Sequence, residues 1–326
     1  MTSKTPESTL VLVDGATGYL GAHLVHALSL RNYKIRCLVR HNTDPVNLDY
    51  LKSTGCEIIK VDYNDKNAGK QIASSAFEDV DYAVHLVGSI APSRKETFAS
   101  IHQDMTKVFV DNCQSANIDK AILVTALGTS EESPSAYHKT KRESEKVLQK
   151  SGLNHAILRP SLLIGHQVSK RHSKLVKRLL EMIATRPKVP LIHGGTNKIQ
   201  PLFIGDMTQC IIESFSKEID KPLDLAGPEK LTLAKLVDKL STLLDKRARI
   251  ASINPQLGLA IASFLSIVQD VPILSKDQVI LAQMDNIASD DSNGIKMLLG
   301  HNGTSLDQSV KSYQNTELID ELKAKA

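Results

Sequence analysis

From Thr9 to about Gly165 the chain alternates short, continuous apolar runs with longer stretches whose apolar residues recur at helical spacing. Leu10–Val13, Ile35–Val39, Glu57–Val61, Tyr82–Leu86, Ala121–Val124 and His155–Leu158 read as strands. The segments between them are long enough for crossover helices. Apolar runs without alternation belong to strands buried on both faces, so the pattern predicts an α/β fold with a doubly wound parallel sheet. Functional residues should then gather at the carboxyl ends of the strands. Beyond Gly165 the alternation stops. Helical patterns at Ser173–Thr185, Met207–Ser216 and Leu233–Leu244 are separated by loops carrying Pro187, Pro190, Gly194, Gly195, Pro222, Gly227 and Pro228. The expected organisation is a nucleotide-binding domain over residues 1–165 and a smaller mixed substrate-side region over 166–326, with some segments returning to the first domain.

The first strand runs into Asp14-Gly15-Ala16-Thr17-Gly18-Tyr19-Leu20-Gly21, and a helical pattern follows from Ala22 to Leu30. A strand entering a helix through such a turn makes a phosphate site. Gly15 permits the tight turn, Gly18 lets a pyrophosphate approach the backbone, and Gly21 lets the helix pack closely on the strand. The helix start offers unpaired N–H groups and a positive dipole end. Gly15, Thr17, Gly18, Tyr19, Leu20 and Gly21 are the candidate cradle. Their Gly-x-x-Gly-x-x-Gly spacing differs from the standard dinucleotide fingerprint, so the flanking strand and helix carry the reading.

The second strand pattern ends at Arg40, where NAD-selective sites usually carry an acid. A guanidinium suits a 2′-phosphate, which favours NADP(H) over NAD(H). Asp44 keeps NAD open. Asp62 and Tyr63 end the third strand, where they either flank an adenine or are a loop acid and a half-buried ring. After the fourth strand, Val87 and Gly88 would let the backbone approach a ribose. His85, within that strand, reads as a packed residue rather than a ligand or base.

Tyr137 and Lys141 lie four apart at the start of a helical run and share one face of it. A cation beside a phenol favours phenolate, which would lower the Tyr137 pKa and suit it to pass a proton to or from a substrate oxygen. Lys141 could also hold the nicotinamide ribose. Thr125, at the end of the fifth strand, could orient a substrate carbonyl or could be an ordinary β-branched strand residue.

The formal charge of +4 is too small an excess to indicate nucleic acid. Cys37, Cys56, Cys113 and Cys210 lack metal-ligand spacing and fit a reducing, cytoplasmic compartment. The polar residues before Thr9 have no apolar signal core. Leu257 to Val268 is too short to span a bilayer. A buried helix is its commoner explanation, with contact to a membrane or partner as the alternative. Lys170, Arg171, His172, Lys174, Lys177 and Arg178 read as a solvated helix face, or alternatively as a contact for phosphate or an anionic membrane.

Taken together, the glycine turn, Asp62, the Tyr137–Lys141 pair, Leu158-Arg159-Pro160-Ser161, Pro201-Leu202-Phe203-Ile204-Gly205-Asp206 and Leu225-Ala226-Gly227-Pro228-Glu229 resemble the extended or atypical short-chain dehydrogenases/reductases, in the NAD-dependent epimerase/dehydratase group. The resemblance covers nearly the whole chain. Leu274-Ser275-Lys276-Asp277-Gln278-Val279 and Asp285-Asn286 make it most similar to relatives of the nucleotide-binding accessory subunit of respiratory complex I. The resemblance implies a Rossmann-like fold, places Pro160 beside the cofactor, and makes Tyr137 the proton-transfer residue with Lys141 its partner. The chain departs from the family at two places. Asp14 stands where a Thr or small residue is usual, so it should face away from the phosphates. The catalytic Ser position is taken by Thr125 or by Ala126. An NADP(H)-dependent oxidoreductase acting on a carbonyl or hydroxyl of a small molecule is the expectation. The alternatives are a non-catalytic NADP(H)-holding accessory or assembly protein and a nucleotide-sugar epimerase or dehydratase.

Overall fold

The computed structural model describes residues 5–61, 74–90, 93, 97–289 and 292–325. Asp62 and Tyr63, two of the expected adenine contacts, lie outside them. The first part of the chain runs β1 (Leu10–Asp14), α1 (Tyr19–Ser29), β2 (Lys34–Arg40), α2 (Pro45–Ser53), β3 (Glu57–Val61), β4 (Tyr82–His85), α3 (Met105–Ala116), β5 (Lys120–Val124), α4 (Ala136–Gln149) and β6 (His155–Pro160). It continues through β7 (Leu163–Ile164), α5 (Lys174–Thr185), β8 (Val189–Ile192), β9 (Lys198–Ile199), β10 (Leu202–Phe203), α6 (Ile204–Glu213), β11 (Leu223–Leu225) and β12 (Leu231–Thr232). The remaining elements are α7 (Leu233–Ser241), β13 (Ile250–Ile253), α8 (Pro255–Val268), α9 (Lys276–Leu281), α10 (Ile295–Leu299), α11 (Leu306–Lys311) and α12 (Glu317–Ala324).

Seven strands form one parallel sheet in the order β3-β2-β1-β4-β5-β6-β11. Side-chain alternation explains why its strands read as unbroken apolar runs. Val11 and Val13 face a core shared with Leu24 and Leu28 of α1 and with Met207 and Ile211 of α6. Leu12 between them faces the opposite core, with Phe109 of α3 and Leu148 of α4. Ile122 and Leu123 of β5 divide in the same way. Helices on both faces bury the central strands β1, β4 and β5, while the edge strand β3 keeps Glu57 and Lys60 exposed. The strand order reverses between β1 and β4, which opens a crevice at their carboxyl ends.

The sheet is completed from the second half of the chain. β11 pairs with β6, matching Leu225 to Pro160, and α6 packs in the α1 layer. The rest of the second half has its own core. It joins Val176, Leu179, Leu180 and Ile183 of α5 to Leu236, Val237 and Leu240 of α7, and to Tyr313, Ile319 and Leu322. The α5 positions recur at i, i+3, i+4 and i+7, the stripe that buries one helical face.

One expectation is corrected here. The apolar stretch Leu257 to Val268 forms α8, yet among its residues only Gly258 and Ala262 are buried. Leu257, Ile261, Phe264, Ile267 and Val268 are exposed. No helix among the described residues is long and apolar enough to cross a membrane.

Candidate functional site

The glycine turn closes on itself. Gly15 has φ +86°, and a Cβ there would lie 3.0 Å from the carbonyl carbon of Leu86. A Cβ on Gly21 would lie 2.2 Å from the Gly15 carbonyl oxygen, so α1 can pass this close only without a side chain. The Gly18 amide donates to the Gly15 carbonyl at 3.0 Å. Gly18 is also the N-cap of α1 and has no side chain with which to cap it. The first-turn N–H groups are thereby left for an anion. Thr17 is half-buried in the turn, and Leu20 packs against the α1-side core.

The Tyr19 side chain does not face the cradle. Its hydroxyl donates to the Gly165 carbonyl at 2.7 Å, and the Gly165 amide donates to the Tyr313 hydroxyl at 3.1 Å. Burial raises the Tyr19 phenol far above its ordinary range, with Tyr313 adding to the shift. Only the Tyr19 backbone is placed to meet a phosphate. Asp14 turns sideways into the sheet, where its carboxylate accepts from His85 Nδ1 at 2.7 Å across the β1–β4 register. Both groups are buried, and the His85 ring lies 4.8 Å from that of Phe109.

Arg40 ends β2 and is exposed, two residues beyond the partner of Asp14 in the β1–β2 register. Asp44 is the N-cap of α2, and its carboxylate accepts the Val46 amide at 2.9 Å. That contact engages one oxygen of the Asp44 carboxylate at the start of α2.

Helix α4 carries Tyr137, Lys141 and Glu145 at successive i+4 positions. Ser135 caps it by accepting the His138 amide. The Asp277 carboxylate, arriving from α9, accepts the Ser135 hydroxyl at 2.8 Å, the Ala136 amide at 2.7 Å and the Tyr137 amide at 3.3 Å. An anion at a helix N-terminus satisfies otherwise unpaired donors and the dipole together.

Lys141 Nζ donates to the Val87 carbonyl at 3.3 Å and the Val124 carbonyl at 3.4 Å, across the ends of β4 and β5. Burial pulls its pKa down to about 8, opposed by Glu145. A Cβ on Gly88 would sit 2.9 Å from that ammonium. Val87, Gly88 and Lys141 are therefore brought together. Pro160 stands at the end of β6, where its carbonyl accepts the Leu127 amide at 2.9 Å.

Tyr137 is half-buried, and its pKa is pushed up to about 12 by burial and then by Asp277. This reverses the expectation that Lys141 lowers it. The ammonium is directed at two backbone carbonyls, while the charge acting on Tyr137 is the Asp277 carboxylate. A second correction concerns Thr125. Its buried hydroxyl donates to Glu145 at 2.8 Å. Glu145 also takes a forked pair of bonds from Arg159, at 2.7 and 2.6 Å, and one from Arg142 at 3.1 Å. The Thr125 hydroxyl belongs to that network rather than to a carbonyl-orienting position.

His102 was not legible in advance. It sits in a π turn, Ser100–Asp104, leading into α3. Its ring lies 5.4 Å from that of Tyr137, edge to face, and stacks on Phe98 at 5.5 Å. His102 Nδ1 lies 2.8 Å from the Thr140 hydroxyl, and Nε2 lies 3.2 Å from the Ser89 carbonyl and 3.3 Å from the Ser89 amide. Burial, with the Lys141 charge second, lowers the His102 pKa to about 3, so the ring is neutral. A histidine among helix-spaced apolar residues reads as core. Only the π turn, where the register shifts, marks the position out.

Comparison with known proteins places these features in a family. Residues 15–181 match the family model described as NAD(P)H-binding. The chain is 24% identical over 294 residues to mitochondrial NADH dehydrogenase [ubiquinone] 1 alpha subcomplex subunit 9 of Arabidopsis thaliana, covering 86% of this chain and 71% of that one. It is 27% identical over 203 residues to a ceramide reductase of Caulobacter vibrioides, covering 62% of this chain and 60% of that one. Among solved structures, UDP-glucuronic acid 4-epimerase from Bacillus cereus in complex with NAD superposes with a TM-score of 0.73 at 17% identity, over 98% of this chain and 99% of that one. That likeness is one of fold.

Proposed function

As the chain belongs to the NAD(P)H-binding family, within the extended short-chain dehydrogenase and epimerase group, we propose that it is an NADP(H)-dependent oxidoreductase reducing the carbonyl of a small molecule. The observation that carries this reading is the placement of Tyr137 and Lys141 on one face of α4, with the Lys141 ammonium at the ends of β4 and β5. The fit to a dinucleotide rests on three places where a Cβ would intrude: Gly15, Gly21 and Gly88. The α1 N-terminus would hold the pyrophosphate and Lys141 the nicotinamide ribose. The exposed Arg40, with Asp44 engaged at its cap, supports a 2′-phosphate and hence NADP(H). The bound cofactor would supply hydride.

The remaining chemistry falls to the chain. A phenol with a pKa near 12 is protonated at neutral pH, so Tyr137 is a proton donor. That favours the reductive direction, in which the substrate oxygen receives the Tyr137 proton. Neutral His102 packs edge to face against the Tyr137 ring. The four free cysteines fit a reducing, cytoplasmic compartment.

A second reading is a cofactor-holding accessory protein. The engagement of Thr125 with Glu145 favours it, because no carbonyl-orienting hydroxyl is then supplied from that position. NADPH oxidation by purified protein over a panel of small ketones and aldehydes separates the two. Turnover that drops by about 10²–10⁴-fold in Tyr137→Phe, with NADPH affinity retained, supports the enzyme. NADPH binding without turnover by any carbonyl supports the accessory role.

A further inference from the structure

The fully buried residues of helix α8 are small, and several of its large apolar ones are exposed. Gly258 and Ala262, four apart, face inward, and a Cβ on Gly258 would lie 2.7 Å from Ile192 and 3.3 Å from Val279. The outer face carries Leu257, Ile261, Phe264 and Ile267, with Phe264 64% and Ile267 70% exposed. Exposed Val271 and Ile273 continue it into the following loop. No charged residue occurs between Asn254 and Gln269. Isolated apolar residues on a surface are ordinary, but a contiguous run is an interaction site.

The run has a basic border. Arg178 Nη1 donates to the Ile273 carbonyl at 2.6 Å, joining the start of α5 to the apolar loop. Arg171 and Lys174 are exposed on the same segment, and no acid occurs from Lys170 to Leu180. Glu181, just beyond, already faces Lys177 at 3.9 Å. Asp270 is the acid within the loop, and it too is engaged.

We propose that this face docks on the surface of a lipid bilayer containing anionic lipids. A helix of 14 residues spans about 21 Å, too short to cross a hydrocarbon core of about 30 Å. It can lie in the interface, with its apolar side among the acyl chains and the neighbouring cations among the phosphates. A second copy fits less well. A two-fold interface brings each patch against itself and would set the Arg171–Arg178 border of one subunit against its own equivalent. The docking face is tied directly to the candidate site. α8 packs on α9, and α9 carries the Asp277 carboxylate that caps α4 at Ser135 and Tyr137.

Sedimentation of the full chain with phosphatidylcholine vesicles, with and without phosphatidylglycerol, tests the proposal. Binding to the anionic vesicles is expected, weakened at high salt. The double variant Phe264→Glu/Ile267→Glu should lower vesicle affinity at least ~10-fold, because it puts charge on the inserted face. Both positions are exposed, so its melting temperature should match the parent. Lys174→Glu should weaken binding to anionic vesicles and leave the residual affinity for phosphatidylcholine unchanged. Failure of the parent to sediment with anionic vesicles overturns the proposal. So does a parent dimer in sedimentation velocity that the double variant converts to monomer, since a second copy then covers the face.

Discussion

The Asp277 carboxylate accepts the Ser135 hydroxyl at 2.8 Å, although the two residues are 142 positions apart. Through this contact the second half of the chain fixes the start of the helix that carries Tyr137 and Lys141. The same carboxylate adds to the burial that raises the Tyr137 pKa.

Asp277→Asn removes that charge and keeps a hydrogen-bond acceptor. The Tyr137 pKa should fall. Reduction requires the protonated phenol, so activity is lost as pH rises through this pKa. The alkaline limb of the pH–rate profile should therefore move to lower pH in the variant. A limb that stays in place would exclude Asp277 as a source of the shift.

Lys141→Met should weaken the cofactor yet stabilise the empty protein. The folded-state pKa, about 8, lies below the ordinary lysine value of 10.5. Burial of the charged form therefore costs stability. The cost is absent above the unfolded-state pKa, grows as pH falls toward 8, and is constant below it. At neutral pH it amounts to about 3 kcal/mol at most. The variant should melt higher than the parent at pH 7, and the difference should vanish above about pH 10.5. Equal melting temperatures at pH 7 would show that the ammonium is not destabilising.

Arg40→Ala should reduce the preference for NADPH over NADH. A charge-assisted contact to the 2′-phosphate contributes about 1.5–3 kcal/mol, so NADPH affinity should fall by at least about tenfold while NADH affinity changes little. Calorimetric titration with both nucleotides measures this. Parent protein that binds both equally would reassign Arg40 to the solvated surface.

Thr125→Val separates a network residue from a substrate-orienting one. The substitution keeps the β-branched shape and leaves one bond to buried Glu145 unmade. A loss of about 1–3 kcal/mol in unfolding free energy is expected, with the turnover number little changed. Lost turnover at unchanged stability would return Thr125 to the substrate.

The parts legible in the sequence were those written in local periodicity. β1, β4 and β5 stood out because they are buried on both faces, and the Gly15–Gly21 turn stood out because side chains at its first and last glycine would meet the backbone of Leu86 and of Gly15 itself. Tyr137 and Lys141 were legible by their spacing. β11 was missed because Leu223-Asp224-Leu225 is too short for any period to show. The orientation of α8 is not legible, because hydropathy does not reveal which side of a helix meets the core when the inward residues are Gly258 and Ala262. The raised pKa of Tyr137 comes from burial and from Asp277, and the Thr125 hydroxyl is engaged by Glu145. Asp277 and Glu145 each reach their partner through the folding of the chain.

The Tyr19–Gly165–Tyr313 contact has a mechanical meaning. Tyr19 opens the helix whose N-terminus would receive the pyrophosphate; its hydroxyl donates to the Gly165 carbonyl, and the amide of the same residue, in the preceding peptide unit, donates to the Tyr313 hydroxyl. A displacement of residue 313 would therefore reach the start of α1 through the two peptide units that meet at Gly165. On the proposed reading, Tyr313 would act as a strut for the glycine turn, and Tyr313→Phe should weaken nucleotide binding while every glycine of the turn remained in place.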